Sequence, residues 1–98
     1  MIRHIVIFTL TEKAKQEGLE GVLEKIRSSA ENMAAKIPGL LTAELNLNRA
    51  KSSPHDLVFY SEFADIQALE AYQTNPIHEE HKKSFADYVS NPEIIDPF

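Results

Sequence analysis

Asp56-Leu-Val-Phe-Tyr-Ser-Glu-Phe63, Ala64-Asp65-Ile-Gln-Ala-Leu-Glu-Ala-Tyr72 and Gln73-Thr-Asn75-Pro76-Ile77-His78 are three consecutive pieces of one stretch, and their order decides the fold. The first piece is a strand, dense in β-branched and aromatic residues, with Leu57, Phe59, Ser61 and Phe63 opposing Asp56, Val58, Tyr60 and Glu62. Asp65 then offers its carboxylate to the free backbone N–H groups of a helix start. Ile66, Leu69 and Tyr72, with Gln73, recur at helical spacing and form that helix's inner face. Asn75-Pro76 stops the helix and starts another, Asn as cap and Pro in the first turn, where a missing N–H costs nothing. The helix junction delivers a Tyr and then a His, groups that bind and move protons.

Working outward, Ile2 to Leu10 reads as a strand that is largely apolar on both faces, Ile2, His4, Val6 and Phe8 against Arg3, Ile5, Ile7 and Thr9. Glu12 to Glu17 is polar and reads as loop or helix entry. From Leu19 the period becomes helical: Leu19, Val22, Leu23, Ile26, Ala30, Met33, Ala34 and Ile37 form one apolar stripe. Pro38-Gly39 ends that helix. Leu40 to Asn48 alternates, with Leu41, Ala43, Leu45 and Leu47 opposing Thr42, Glu44 and Asn46, and is the second strand. Asn48 to His55, containing Ser52-Ser53-Pro54, is a loop by composition. Downstream, Glu79 and Glu80 precede Lys82 and Lys83, the order that a helix dipole favours, and Phe85, Tyr88 and Val89 face inward. Glu93-Ile94-Ile95-Asp96-Pro97-Phe98 reads as a short fourth strand, which Pro97 confines to an edge or a strand end.

The order β-α-β-β-α-(α)-β describes a ferredoxin-like α+β sandwich, a four-stranded antiparallel sheet with helices on one face. The other face carries either Ile5 and Ile7 or Val6 and Phe8, too apolar to be left in water. Two such sheets packed face to face would bury it, so the expected assembly is a two-fold homodimer closed into a barrel-like core.

Composition narrows the function. Ninety-eight residues make one domain, and 43% hydrophobic with 26% charged residues is an ordinary globular mixture. The chain has no Cys, which excludes disulfides, thiolate catalysis and Cys-based metal sites, and suits a cytoplasmic setting. Its apolar runs are too short to cross a bilayer, and the N-terminus lacks an apolar segment with a cleavage site. A net charge of −5 argues against a nucleic-acid partner. Gly18, Gly21 and Gly39 form no phosphate loop, and no Ser sits in a nucleophile elbow.

Taken together, Met1-Ile-Arg-His4-Ile-Val, Ile37-Pro38-Gly39, the Asp56–Phe63 strand, Leu69-Glu-Ala-Tyr72 and Asn75-Pro76-Ile77-His78 resemble the stress-responsive dimeric α/β-barrel (Dabb) family. The resemblance covers essentially the whole chain and implies a single dimeric α/β-barrel domain; much of that family has no assigned activity. Plant polyketide cyclases of the olivetolic acid cyclase type, within it, work without a cofactor. They use a strand-one His, a helical Tyr and the His of an x-Pro-x-His turn. The matching positions here are His4, Tyr72 and His78, and Asp96 matches a carboxylate of the terminal strand. Those cyclases also carry a Tyr on the first helix, whereas Leu19 to Ile37 contains no aromatic residue, so the pocket and its substrate stay open.

The chemistry of these groups can be argued on its own. A neutral imidazole accepts a proton at neutral pH, a Tyr hydroxyl orients it or polarises a carbonyl, and a second His donates to an enolate oxygen. Packing offers a blander account: His4 as a core histidine, Tyr72 as part of an apolar helix face, His78 as a solvated cap residue, Asp96 as an exposed turn. His78 and His81 stand three apart, but His-Glu-Glu-His has no zinc-protease spacing and no third ligand, so no metal is expected. His55 reads as solvent-exposed. Three readings follow: a cofactor-independent cyclase or enolising enzyme, a dimeric domain that binds a small apolar or aromatic molecule, and a structural dimer. The first requires His4, Tyr72 and His78 to converge on an open pocket; the last requires a filled interior.

Overall fold

The computed structural model describes residues 1–47 and 56–95. Two strands, β1 (Ile2–Leu10) and β3 (Leu57–Phe63), form the antiparallel centre of the sheet, from Ile2 opposite Phe63 to Phe8 opposite Leu57. The edges are β2 (Leu40–Leu47), paired with β3, and β4 (Val89–Ile95), paired with β1, which gives the order β2-β3-β1-β4. The helices are α1 (Glu12–Glu17), α2 (Leu19–Lys36), α3 (Ile66–Thr74) and α4 (Pro76–Phe85), and their buried apolar side chains all join one core. This is the expected ferredoxin-like α+β sandwich.

The core lies between helices and sheet because alternation places one set of side chains there. Leu57, Phe59, Ser61 and Phe63 are all buried, while Val58, Tyr60 and Glu62 of the same strand are only half-buried. From α2, Val22, Leu23, Ile26, Ala30 and Met33 meet them, and α3 adds Leu69 and Tyr72. The caps form as the sequence predicts: the Asp65 carboxylate accepts from the Ala68 N–H at 2.8 Å, and the Asn75 side chain accepts from the Ile77 N–H at 2.8 Å. Gly39 sits at φ +80°, and a Cβ there would lie 2.5 Å from the Ala68 Cβ. Glycine is therefore what lets the entry to β2 rest directly against α3.

Five local expectations are corrected, the first being Ile66, which is 47% exposed and leaves the inner face of α3 to Leu69 and Tyr72. Glu12–Glu17 is a helix of its own, capped by Thr11 and pinned by the buried Ala14, and Gly18 at φ +100° separates it from α2. Leu19 lies outside the α2 stripe, more than a third exposed at the first turn. Leu41 does not share a face with Ala43 and Leu45, because the β2–β3 register shifts between Leu40 and Thr42. Leu40 takes the inner place at 5% exposure, and Leu41 is displaced outward at 57%.

The last correction concerns β4. The segment to Val89 is not all helix: α4 ends at Phe85, the Tyr88 N–H turns back to the Phe85 carbonyl, and the Tyr88 carbonyl accepts from Thr11 at 3.0 Å. Val89 therefore pairs with Leu10 and opens the strand four residues earlier than Glu93. Asn91 at φ 54° and Pro92 fall at a register shift opposite Phe8. β4 is an edge strand as expected; Asp96, Pro97 and the Asn48–His55 loop lie outside the described residues.

The opposite face of the sheet carries Ile5, Ile7, Val58 and Tyr60, half-buried in the single chain. The Tyr60 hydroxyl donates to the Glu62 carboxylate at 2.7 Å on this face. Among the described residues no helix is long and apolar enough to cross a membrane.

Candidate functional site

A cavity of about 400 Å³ opens between β1, α4 and the β4 edge. Val6, Phe8, Phe59, Phe85, Val89 and Ile94 supply apolar walls, and His4, Tyr72, His78 and His81 the polar ones. Its position follows from local sequence. His4 lies on the inner face of β1 opposite Ser61, a residue too small to fill the layer beneath the helices. Tyr72 comes from the last turn of α3, and Asn75-Pro76 reverses the chain at once, so that His78 returns in the first turn of α4.

Three of the four sequence-derived candidates meet here. The Tyr72 and His78 rings stack at 3.8 Å and 23°, and His4 stands edge-on to Tyr72 at 6.2 Å. Phe63 backs the cluster, 4.8 Å from Tyr72 and 6.1 Å from His4. Asp96 lies outside the described residues. His78 Nδ1 is 3.0 Å from the Tyr72 backbone carbonyl. A carbonyl only accepts, so Nδ1 carries the proton and Nε2 keeps a lone pair. Burial, and then the Lys82 ammonium, lower the His78 pKa from its ordinary value, which keeps the ring neutral at pH 7. The Tyr72 hydroxyl is pushed the other way by burial, well above its ordinary range, and stays protonated. It makes no hydrogen bond among the described residues and faces the cavity as a donor. At the exposed rim Lys82 pairs with Glu79 at 3.2 Å.

His81 is the residue that sequence reasoning left without a role. It is 4% exposed, its ring 4.5 Å from Phe85 and 5.4 Å from Phe59, with Nδ1 2.5 Å from the Ser29 hydroxyl. The spacing of His78, His81 and Phe85 on one side of α4 was a signal for it; read alone, the i, i+3 pair pointed instead to metal or solvent. Among the described residues no group of three His, Cys, Asp or Glu side chains could hold a metal ion.

Burial brings the His81 pKa down to about 4 from 6.5. Unfolded chains take up this proton below about pH 6.5 and the native protein only near pH 4. Stability is thus complete above pH 6.5 and is lost as pH falls toward 4, by about 3 kcal/mol at full extent. Urea unfolding across this window should show a shallower pH slope in His81→Phe than in the native protein. Parallel slopes would refute the assignment.

A four-stranded antiparallel sheet, helices on one face and a side cavity at its edge together define a ferredoxin-like α+β domain. The chain belongs to the stress-responsive A/B barrel (Dabb) family, whose profile matches residues 2–97. Among similar solved structures is a dimeric protein of unknown function with a ferredoxin-like fold from Bacteroides fragilis. It is 26% identical, with a TM-score of 0.81 over 98% of this chain and 93% of that one. A Dabb family protein from Mesorhizobium loti is also 26% identical, with a TM-score of 0.78 over 99% of this chain and 94% of the other. An antibiotic biosynthesis monooxygenase shares the fold at 17% identity and a TM-score of 0.74, covering 100% of this chain and 97% of that one. No curated protein matches the sequence.

Proposed function

We propose that the protein is a cofactor-independent enzyme that removes a proton beside the carbonyl of a small, flat, polyketide-like compound. Enolisation or intramolecular aldol closure follows. The observation that carries this reading is the stacked Tyr72–His78 pair, whose backbone hydrogen bond leaves His78 Nε2 unprotonated at the wall of an apolar cavity. His78 Nε2 takes the proton from carbon. The C–H electron pair becomes the new C=C bond as the carbonyl π pair moves to oxygen, and the Tyr72 hydroxyl donates to that oxygen. His4 orients the pair from β1, and Asp96 supports it. Incubation with phenylacetone in D₂O should exchange its α-protons, followed by NMR. A native rate equal to that of buffer would end the catalytic reading.

A second reading, a non-catalytic site for a small apolar or aromatic molecule, is favoured by the mostly apolar walls. It predicts saturable binding of phenylacetone with no exchange. The open cavity weighs against a purely structural role, which called for a filled interior.

We also propose that the protein works as a cytosolic homodimer through the uncovered sheet face. Ile5, Ile7, Val58 and Tyr60 give that face its apolar centre, and the Bacteroides fragilis relative is dimeric. Native protein should sediment at twice the monomer mass, and Ile5→Lys, which buries a charge at each copy, should sediment as monomer. A monomeric native protein at micromolar concentration would exclude this assembly.

A further inference from the structure

His81 borders two hollows at once: the cavity, and a polar groove between α2 and α4 lined by Ser29, Asn32, Lys36 and Glu80. Ser29 belongs to the groove and not to the cavity, so it engages the imidazole from outside, at Nδ1. The other nitrogen, Nε2, has no hydrogen-bond partner among the described residues, although the residue is only 4% exposed. An unpaired polar atom at that depth is costly, and a ligand atom in the cavity would pair it. The ring is clamped between Phe59 and Phe85, so it cannot swing away to find water.

Which way the proton lies decides what ligand atom is wanted. The Ser29 hydroxyl makes no other hydrogen bond among the described residues, and it can give its one proton to Nδ1. Neutral imidazole then carries its own proton on Nε2. The low His81 pKa keeps the ring neutral, so this arrangement persists across the physiological range.

We propose that His81 is a ligand-binding donor, its Nε2–H placed by Ser29 to receive a carbonyl or enolate oxygen in the cavity. His78 and His81, one turn apart on α4, then hold opposite tautomers. The Tyr72 carbonyl makes His78 an acceptor toward the cavity, and the Ser29 hydroxyl makes His81 a donor. One helix thus carries both the base and a partner for the developing oxygen charge, with Ser29 as positioning residue. The chemical role rests on the proton-abstraction reading above; the donor assignment rests on the Ser29 contact and the unpaired, buried Nε2.

The test uses the full chain with nitrogen-15 histidine, the His81 signals being those lost in His81→Phe. At neutral pH the folded protein should show His81 protonated on Nε2 and His78 on Nδ1. Titration with 4-nitrophenolate, whose ring oxygen carries the charge of an enolate, should give saturable binding. His81→Phe, which keeps the ring between Phe59 and Phe85, should weaken that binding about 10-fold or more. Ser29→Ala, in the groove between α2 and α4, should give a mixture of His81 tautomers and a several-fold loss that Ser29→Thr restores. His81 protonated on Nδ1 in the native protein, native protein that binds no phenolate, or His81→Phe that binds it undiminished, would each overturn the proposal. Expected tautomers and phenolate binding without deuterium exchange would instead end the proton-abstraction reading and leave His81 a binding residue.

Discussion

His78→Phe should lower the rate of phenylacetone deuterium exchange by about 10²–10⁴-fold, the usual worth of a positioned general base. Phe retains a ring to stack on Tyr72 at the 3.8 Å spacing of the native pair, and removes the Nε2 lone pair together with the Nδ1–H bond to the Tyr72 carbonyl. Its thermal midpoint should stay near that of the native protein, because His78 is half-buried and its neighbours are not displaced. The native rate should be flat on the alkaline side of neutrality and fall only as pH drops through the lowered His78 pKa, where the base becomes protonated. Lys82→Ala removes a nearby positive charge and should move that acid limb upward. Native-like exchange in His78→Phe would assign the base elsewhere.

Phe63→Ala carries the largest expected cost to folding, about 3–5 kcal/mol. Phe63 is wholly buried at the end of β3 and touches both Tyr72 and His4, so truncation leaves a void beneath the polar cluster. A domain of this size has only about 5–15 kcal/mol in total, so the variant should lose roughly a fifth or more of its urea resistance. The same void frees His4 and Tyr72 to change rotamer, and the rate of exchange should fall along with stability. A loss under about 1 kcal/mol would mean that the helices collapse onto the gap, contrary to the support assigned to this ring.

The strands β1 and β3 and the caps at Asp65 and Asn75 were legible because they rest on local chemistry: alternation, β-branched density, a short acceptor before a helix. The misreadings lie where partners far along the chain decide. Alternation through Leu40–Leu47 looks regular, and only pairing with β3 reveals the extra residue that turns Leu41 outward. Six mostly polar residues from Glu12 gave no apolar stripe; burial of one of them, Ala14, and a Thr11 cap were enough for a turn and a half of helix. Tyr88 and Val89 fitted a helical count, yet the hydrogen bond from Thr11 to Tyr88 draws the chain into the sheet.

The site divides in the same way. His4, Tyr72 and His78 were nameable from the family resemblance, and the topology brings them to one cavity. The proton position on His78 was not nameable, because it depends on a backbone carbonyl six residues back, and the one proposed for His81 depends on a serine on another helix. His81 gained its place through Ser29, 52 positions away in the chain.

The irregular start of β4 has a consequence for solubility. An open edge with a regular ladder is a template on which another copy can extend the sheet without limit, and Ile94 and Ile95 make this edge attractive. Pro92 contributes no N–H, and Asn91 at φ 54° turns the backbone out of the extended conformation. An incoming strand meets a broken row of donors and cannot propagate. Because Pro92 and Ile94 also line the cavity, the kink that shapes the cavity at this edge is the one that keeps polymerising neighbours off it.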